Sequence, residues 1–375
     1  ALCVRDLLRN LTRSGSPSPT VNASPKNDDE RTTGFSLKSE ILNRVFRFPD
    51  QQGGWARAAV KYARSIPRNE RPDIVFATAN PWSGLLAGAR IAEYFNVPFV
   101  ADFRDPWVDN PKPALTPSLG RKAERLEKSI IQRATRIIAN TEELAASFRR
   151  RYPAESYKFD TITNGFHQSL VEKFRHLPTY QPQEEIIELC YFGSVYELRK
   201  PTILLEALKE SIDSGQTDIE RLVIRITGNW IVADPYCNRL ASELEQRGAL
   251  IREASVPHQE YLARLKTSQI LLILQQGFPL QIPAKIYEYM ASGRPSVMIG
   301  GEGATANLYK TAGLGVVCDN NKVAIKALYR SLCESPEPLA APKMESLAEF
   351  AYPNLTQKLV NTFAKALGQN HEKSR

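Results

Sequence analysis

Short apolar runs alternate with amphipathic helical patterns along most of this chain, and the alternation occurs in two blocks. In the first block the pattern predicts strands at 73–77, 98–102, 136–139 and 159–163. In the second it predicts strands at 186–192, 221–227, 250–253, 269–274, 295–299 and 315–318. Because repeated strand–helix units build parallel sheets, the pattern predicts an α/β fold with two doubly wound, Rossmann-like domains.

Breaks in the alternation indicate where the domains begin and end. We predict four segments: an irregular, partly disordered start (1–34), a first Rossmann-like domain (35–166), a second (167–352) and a C-terminal helix with a polar tail (353–375). The boundary between the two domains falls in residues 166–187, which lack the alternation and contain two prolines in a polar run. The last helix is predicted over 355–367.

Composition argues against several classes of protein. No run approaches the roughly 18 apolar residues of a membrane span, and residues 1–12 do not have the apolar core of a signal peptide. The five cysteines are scattered and include no CxxC, which indicates neither a disulfide framework nor a zinc site and fits a reducing cytoplasm. The net charge of +8 suits phosphate-rich ligands or an anionic membrane, whereas no nucleic-acid-reading element is present, so no nucleic-acid partner is expected.

Residues 283–295 read as a short helix with both ends marked. Pro283 suits the first helical position, and Gly293 suits the residue just past the end. Lys285 and Glu288 are three residues apart and therefore share one helical face. Near a helix N-terminus such a pair could hold a diphosphate and a ribose hydroxyl. The alternative is an ordinary charge pair on the surface of an amphipathic helix.

A polar turn, Asp-Phe-Arg-Asp-Pro-Trp at 102–107, follows a predicted strand of the first block. Open α/β sheets place functional loops at the carboxyl ends of their strands, so Asp102, Arg104 and Asp105 are candidate site residues. An equally good interpretation is a structural turn in which the carboxylates cap a helix and pair with the arginine.

Glycines follow two strands of the second block. Gly193 would let the backbone approach a ligand closely, and Arg199 and Lys200 would bring positive charge to a phosphate at the next helix start. Gly228 repeats the strand-then-glycine arrangement. A solvated basic loop is the alternative. Residues 301–306 match a GxGxxA fingerprint but come too late in the chain for a dinucleotide domain to follow, so no nicotinamide cofactor is expected.

These motifs, in this order, resemble those of the GT-B glycosyltransferases, in particular the retaining family 4 (group 1) type. The resemblance runs from about residue 35 to residue 367. Four stretches carry it: 102–107 resembles a signature of a bacterial branch that builds cell-surface polysaccharides, 162–166 the Asn-Gly turn before the hinge, 191–200 the loop that holds the donor diphosphate, and 285–295 the second half of the Glu-x7-Glu element.

The chain also departs from the family pattern. Leu280 stands at the first Glu of the Glu-x7-Glu element, and Ser194 replaces the arginine of the Gly-Arg pair. Arg104 occupies the place of a frequent histidine, and His167 that of an aspartate. No strand with a Gly-rich loop is recognised before residue 35, so the chain is expected to be truncated or to have lost that loop.

The resemblance implies transfer of a sugar, with retention, from a nucleotide diphosphate sugar to an acceptor hydroxyl, with no metal or other cofactor. It implies an acceptor side formed by Asp102, Arg104 and Asp105. Glu288 would bind the ribose. The donor-binding residues implied are Gly193, Ser194, Arg199, Lys200, Gly228, Lys285, Tyr287 and Glu288.

The implied acceptor is a glycan or a lipid-linked glycan. A basic run could bring a cytoplasmic protein to the inner face of an anionic membrane, or it could be a solvated helix face. The run consists of Arg121, Lys122, Arg125, Lys128, Arg133 and Arg136. A rival interpretation is a catalytically inactive protein of the same fold that binds a nucleotide sugar or a partner, which Leu280 and the missing loop favour. A nucleotide-sugar epimerase is a third.

Overall fold

The computed structural model describes residues 48–111, 116–181, 186–215, 221–334, 339, 341–342 and 344–373. The chain divides into two compact units. The first contains the described residues up to Asn140, then Ala145–Thr161 and the segment from Val360, and the second contains Thr141–Leu144 and Ile162–Leu359. The predicted irregular segment 1–34 lies outside the described residues.

The first unit is built on a four-stranded parallel sheet in the order β1-β2-β3-β4. Its strands are β1 (Val75–Ala79), β2 (Phe99–Phe103), β3 (Arg136–Ala139) and β4 (Phe159–Thr161). The helices in this part of the chain are α1 (Gly53–Ala63), α2 (Trp82–Phe95), α3 (Pro117–Arg133) and α4 (Glu142–Arg151). Every residue of β2 and β3 is buried, as is usual for a parallel sheet that is covered on both faces.

The second unit has a six-stranded parallel sheet in the order β12-β11-β10-β5-β7-β9. Its strands are β5 (Ile187–Phe192), β7 (Leu222–Thr227), β9 (Leu250–Glu253), β10 (Ile270–Gln275), β11 (Ser296–Gly300) and β12 (Gly315–Asp319). Two short strands, β6 (Val195–Tyr196) and β8 (Trp230–Ile231), pair separately. The order is that of a dinucleotide-binding sheet, with the first strand, β5, at the centre.

Helices cover both faces of this second sheet. Alternate residues of β10 point into two cores, Leu272 into one and Leu271 into the other. The helices, in chain order, are α5 (Gln168–Arg175), α6 (Thr202–Asp213), α7 (Pro235–Gln246), α8 (His258–Thr267), α9 (Lys285–Ser292), α10 (Ala304–Ala312) and α11 (Lys322–Glu334). A last helix, α12 (Tyr352–Lys373), belongs to the first unit from Val360 onward. Residues of α6, α7 and α11 join the first core, and residues of α5, α8, α9 and α10 join the second. The prediction of two doubly wound α/β sheets is confirmed.

Three local predictions were wrong. The stretch 166–187 contains helix α5, because His167 accepts a hydrogen bond from the Ser169 N–H at 3.1 Å as an N-cap, and Phe174 is buried. The last helix continues to Lys373 instead of ending at residue 367. Helix α9 begins after Pro283, whose carbonyl accepts from the Ile286 N–H at 3.0 Å in the preceding turn.

The basic run also needs a correction. Arg136 lies on the buried strand β3 and pairs with Asp160 at 2.7 Å, so it belongs to the interior. The other members are exposed, namely Arg121, Lys122, Arg125, Lys128 and Arg133. Within the described part of the chain, no helix has both the length and the apolar character needed to cross a membrane.

Candidate functional site

A cleft of about 400 Å³ lies at the carboxyl ends of β5 and β7 in the second unit. Strand β5 is the point where the strand order reverses, since β7 and β10 lie on opposite sides of it, and open α/β sheets bind ligands at such points. The lining residues are Tyr191, Phe192, Gly193, Ser194, Tyr196, Arg199, Thr227, Gly228, Ser255, Val256, Tyr261 and Lys285. Among the donor-side residues expected from sequence, Gly193, Ser194, Arg199, Gly228 and Lys285 therefore lie together.

Two glycine turns form one wall of the cleft. Gly193 and Gly228 have φ angles of +129° and +154°, a conformation that residues with a Cβ rarely adopt. The Gly193 N–H donates to the Thr227 carbonyl at 2.9 Å, so the two turns lie against each other. A Cβ atom on Gly228 would lie 2.2 Å from the Gly193 carbonyl oxygen. Glycine at 228 is therefore required by close backbone packing, and the wall that results carries no bulky side chain.

Two cationic side chains face this wall. The Lys285 ammonium donates to the Phe192 carbonyl at 2.8 Å and lies 3.7 Å from the centroid of the Tyr191 ring. The Arg199 guanidinium lies over the rings of Tyr196 and Phe278, at 5.7 Å and 5.1 Å. Its buried Nε has no hydrogen-bond partner among the described residues.

The electrostatics of the cleft favour an anion. Burial, and then the positive charge of Arg199, hold the pKa of Lys285 well below its usual range. No Asp or Glu is among the described residues that line the cleft. Two neighbouring cations without a carboxylate facing them destabilise each other until an anion binds between them.

Three predicted donor-side residues lie outside the described lining of the cleft. The Lys200 ammonium turns away and pairs with Asp234 at 2.8 Å. Tyr287 is 1% exposed and packs against the Phe350 ring in the core. Glu288 is half-buried, and its Oε2 atom accepts a hydrogen bond from the Tyr261 hydroxyl at 2.6 Å. Contact of Lys200, Tyr287 or Glu288 with a donor stays a prediction.

The predicted acceptor-side residues lie in the first unit, at the end of β2. Asp102 is buried, accepts a hydrogen bond from the Thr78 hydroxyl at 2.9 Å and pairs with Arg104 at 3.3 Å. Burial raises the pKa of Asp102, and the charge of Arg104 opposes that rise. Arg104 also donates to the Asn140 amide oxygen at 2.8 Å. The turn thus joins Asp102 to Arg104, and Asp105 follows them half-buried.

Sequence reasoning missed the uncharged side of the cleft, formed by Thr227, Ser255, Val256 and Tyr261. The first three lie at or just after the ends of β7 and β9, so strand-end position was a usable signal for them. Tyr261 lies inside α8, and no sequence signal separates it from the other apolar residues of an amphipathic helix. Among the described residues, no group of three His, Cys, Asp or Glu side chains is placed to hold a metal ion.

Comparison with known structures defines the class of fold. HepE from Anabaena in complex with UDP is similar with a TM-score of 0.61 at 16% identity, over 87% of this chain and 88% of that one. Sucrose-phosphate synthase from Thermosynechococcus elongatus gives 0.60 at 15% identity, over 88% and 80%. The lipopolysaccharide outer core galactosyltransferase WaaB gives 0.57 at 12% identity, over 82% and 79%. The chain has the fold of the GT-B glycosyltransferases, as predicted.

Sequence comparison adds a match over part of the chain. Residues 2–169 match the family model Glycosyltransferase Family 4. The match includes Asp102, Arg104 and Asp105 and ends before the cleft of the second unit. No curated protein matches the chain.

Proposed function

We propose that this protein is a glycosyltransferase that holds a nucleotide diphosphate sugar in the cleft of its second unit and transfers the sugar to an acceptor hydroxyl with retention. The observation that carries the proposal is the pair of cations, Lys285 and Arg199, that face a glycine wall without a carboxylate among the described lining residues. A diphosphate supplies the negative charge that this pair lacks. The GT-B fold and the family match over residues 2–169 support the same assignment.

The chemistry follows from charge. In the transfer, the bond between the anomeric carbon and the diphosphate oxygen breaks, a bond to the acceptor oxygen forms, and the proton of the acceptor hydroxyl passes to the leaving diphosphate. The leaving diphosphate gains negative charge as that bond breaks, and Lys285 and Arg199 stabilise it. Two fixed cations can do this without a metal, so we propose that the reaction needs no metal or other cofactor.

The similar structures suggest the ligand class. HepE structures contain UDP, UDP with glucose, or UDP-glucose, and this supports a UDP-sugar donor for this chain. WaaB is a lipopolysaccharide galactosyltransferase, which supports a cell-surface glycan or lipid-linked acceptor. We place the acceptor near Asp102, Arg104 and Asp105. The exposed basic residues of α3 would approach an anionic membrane that carries a lipid-linked acceptor.

Calorimetric titration of the intact protein with UDP, GDP and UMP, in EDTA, tests the donor site. A diphosphate is expected to bind more tightly than UMP, because it reaches both cations. Arg199→Gln and Lys285→Met should each weaken diphosphate binding about 10- to 100-fold, the range for a lost hydrogen bond to a charged group. Lys209→Gln is the control, since it removes a cation that pairs with Asp213 at 2.6 Å and is not among the described lining residues, and it should bind as the wild type does.

Wild-type affinity in both Arg199→Gln and Lys285→Met would refute the diphosphate assignment. Transfer itself is tested by supplying a panel of nucleotide sugars with glycan acceptors and measuring the release of UDP or GDP. The anomeric configuration of the product, read by NMR, tests retention. Tight diphosphate binding with no transfer to any acceptor would favour a binding protein of the same fold.

A further inference from the structure

Two segments leave the sheet of the second unit side by side, each directly after a glycine of the cleft wall. The first segment, residues 194–200, contains β6 and a 3₁₀ turn over Glu197–Arg199. The second, residues 229–234, contains β8. The two short strands pair in parallel, and the Val195 N–H donates to the Asn229 carbonyl at 2.8 Å. The two segments are therefore joined where they leave the sheet.

Three charged side chains join the same segments beyond the paired strands. The Oε1 atom of Glu197 accepts a hydrogen bond from the Ala233 N–H at 2.8 Å, and its Oε2 atom lies 3.7 Å from the Lys200 ammonium. The Lys200 ammonium pairs with Asp234 at 2.8 Å. We call Glu197, Lys200 and Asp234 the clasp. The clasp ties the 3₁₀ turn of the first segment to the end of the second.

Asp234 also connects the clasp to a helix that is fixed in the core. Its Oδ1 atom accepts hydrogen bonds from the N–H groups of Tyr236 at 3.0 Å and Cys237 at 3.4 Å, so it is the N-cap of α7. Cys237 and Leu240 of this helix are buried in the first core. The clasp therefore holds the 3₁₀ turn against a packed helix.

The turn that the clasp holds carries a cation of the cleft. Arg199 is the last residue of the turn and lines the cleft, and Lys200 follows it directly. The side chains of Lys200 and Asp234 are 38% and 23% exposed, so their pairing contributes little to the stability of the whole protein. The position of the turn, and with it the reach of the Arg199 guanidinium, is what this pairing can affect.

We propose that Asp234 is a positioning residue for the diphosphate site: through Lys200, it holds the turn that places Arg199 in the cleft. This inference rests on the proposed function, because it requires a diphosphate that contacts Arg199. It gives Lys200 a role within the clasp, whereas the family resemblance implies that Lys200 contacts the donor. The two roles predict opposite effects for a change at Asp234.

Asp234→Asn distinguishes the two roles, because asparagine can still cap α7 but does not attract Lys200 by charge. If Lys200 contacts the donor, losing the negative charge of Asp234 and releasing the lysine should leave UDP binding unchanged or strengthen it. If the clasp positions Arg199, the variant should bind UDP about two- to fivefold more weakly, the range for an exposed ion pair. Calorimetric titration measures the affinity. Unchanged or tighter binding refutes the inference.

A double-mutant cycle tests whether the effect passes through the clasp to Arg199. Once Asp234 is changed to Asn, Lys200→Gln should cause little further loss of UDP affinity, because the clasp is already broken. In an Arg199→Gln background, Asp234→Asn should also have little effect, because the group that it positions is absent. Full additivity in either comparison would contradict the inference, since independent contacts give additive effects.

Asp213→Asn is the matched control. Asp213 pairs with Lys209 at 2.6 Å in the same unit and is not among the described lining residues, so this variant should keep the wild-type affinity for UDP. Thermal unfolding of Asp234→Asn checks the helix cap, and its melting temperature should stay close to that of the wild type. Lys200→Gln leaves the cap intact. Wild-type UDP affinity in Lys200→Gln, with lost stability in Asp234→Asn, would refute the positioning role.

Two further outcomes separate this inference from the proposed function. Failure of the wild type to bind any nucleoside diphosphate would overturn the proposed function and the inference with it. If Arg199→Gln weakens UDP binding but Asp234→Asn does not, the diphosphate assignment stands and the role of Asp234 is overturned.

Discussion

Binding of an anion beside Lys285 is coupled to protonation of the lysine side chain. Its ammonium lies on the face of the Tyr191 ring and beside Arg199, where burial and the neighbouring charge lower its pKa. The only hydrogen bond described for its Nζ is to a backbone carbonyl. A lysine in these surroundings loses its proton more easily than an exposed lysine does. Binding of a diphosphate must therefore raise its pKa.

The direction of this pKa shift predicts how the affinity for UDP depends on pH. Because the bound state has the higher pKa, binding takes up a proton between the free and bound pKa values, and UDP affinity falls as pH rises through that interval. The uptake is measured by titration calorimetry in buffers of different ionisation enthalpy between about pH 6 and about pH 9. The terminal phosphate of UDP also titrates, near pH 6, and contributes equally to wild type and variant.

Lys285→Met is the control for the lysine, because it keeps the length of the side chain and removes its titration. The wild type should take up more protons per UDP than this variant over part of the range. An identical buffer dependence in the two proteins would show that Lys285 stays charged in the free cleft, contrary to the expectation from its burial.

Among the turns that form the cleft, the turn after β7 places the strictest requirement on residue type. Gly228→Ala should destabilise the protein by more than about 2 kcal/mol, because its Cβ would meet the Gly193 carbonyl oxygen at 2.2 Å and its φ is +154°. It should also weaken UDP binding by displacing the Gly193 turn. Gly248→Ala is a matched control with φ of +74° and no atom within 4 Å of the Cβ. Only the backbone cost of about 1–2 kcal/mol is expected there. Urea unfolding and UDP titration of both variants measure the two effects, and equal destabilisation would contradict the packing argument.

Sequence was sufficient to predict the strands of the two main sheets, because buried parallel strands are almost continuous apolar runs. The stretch Ile270–Gln275 is buried at every position, and its length and flanking residues distinguish it from a helix. Helix α5 was missed because its N-cap is a histidine in a polar stretch, and the burial that stabilises it comes from Phe174 packing in a distant core.

The candidate site was predictable where a backbone requirement marks the residue. Gly193 and Gly228 follow strands, and Lys285 opens a helix that ends at a left-handed glycine. Sequence could not decide between Arg199 and Lys200, because a 3₁₀ turn over Glu197–Arg199 sets which of two adjacent cations faces the cleft. Sequence could not predict Tyr261 as a lining residue, because its place in the cleft depends on the packing of α8 and on its hydrogen bond to Glu288, 27 residues away in the chain.

The described residues that line the cleft all belong to the second unit. In the first unit, Arg136, Asp160, Thr362 and Lys365 form a group of contacts, here called the C-terminal anchor, that holds the chain after Val360. Asp160 joins β4 to that segment. It pairs with Arg136 at 2.7 Å, accepts from the Thr362 hydroxyl at 3.1 Å and pairs with Lys365 at 3.3 Å. Phe363 packs edge-on against Phe76 at 5.4 Å beside them. Changes at this anchor should therefore alter stability without altering the cleft.

Asp160, in the C-terminal anchor, makes the stability of the first unit depend on pH in the acid range. Burial would raise the pKa of Asp160, but the hydrogen bond and charge of Arg136, with Lys365, outweigh it and lower the pKa below its usual value. A carboxyl with a lowered pKa in the folded state stabilises the protein above its unfolded pKa of about 3.9. That stability disappears as pH falls through the folded value.

Asp160→Asn should therefore lower the melting temperature by roughly 2–6 °C at neutral pH, because it removes the charged partner of a buried arginine. The gap between wild type and variant should narrow below about pH 4, as the wild-type carboxyl becomes protonated. Asp213→Asn, which removes an exposed partner of Lys209 and Arg247, should change the melting temperature little.

UDP affinity of folded Asp160→Asn should match the wild type, since the described residues that line the cleft lie in the other unit. Thermal unfolding followed by circular dichroism across pH, with one UDP titration at neutral pH, measures all of this. A gap that persists at low pH would mean that Asp160 acts through packing, and weakened UDP binding would mean that the anchor of the first unit also supports the nucleotide cleft.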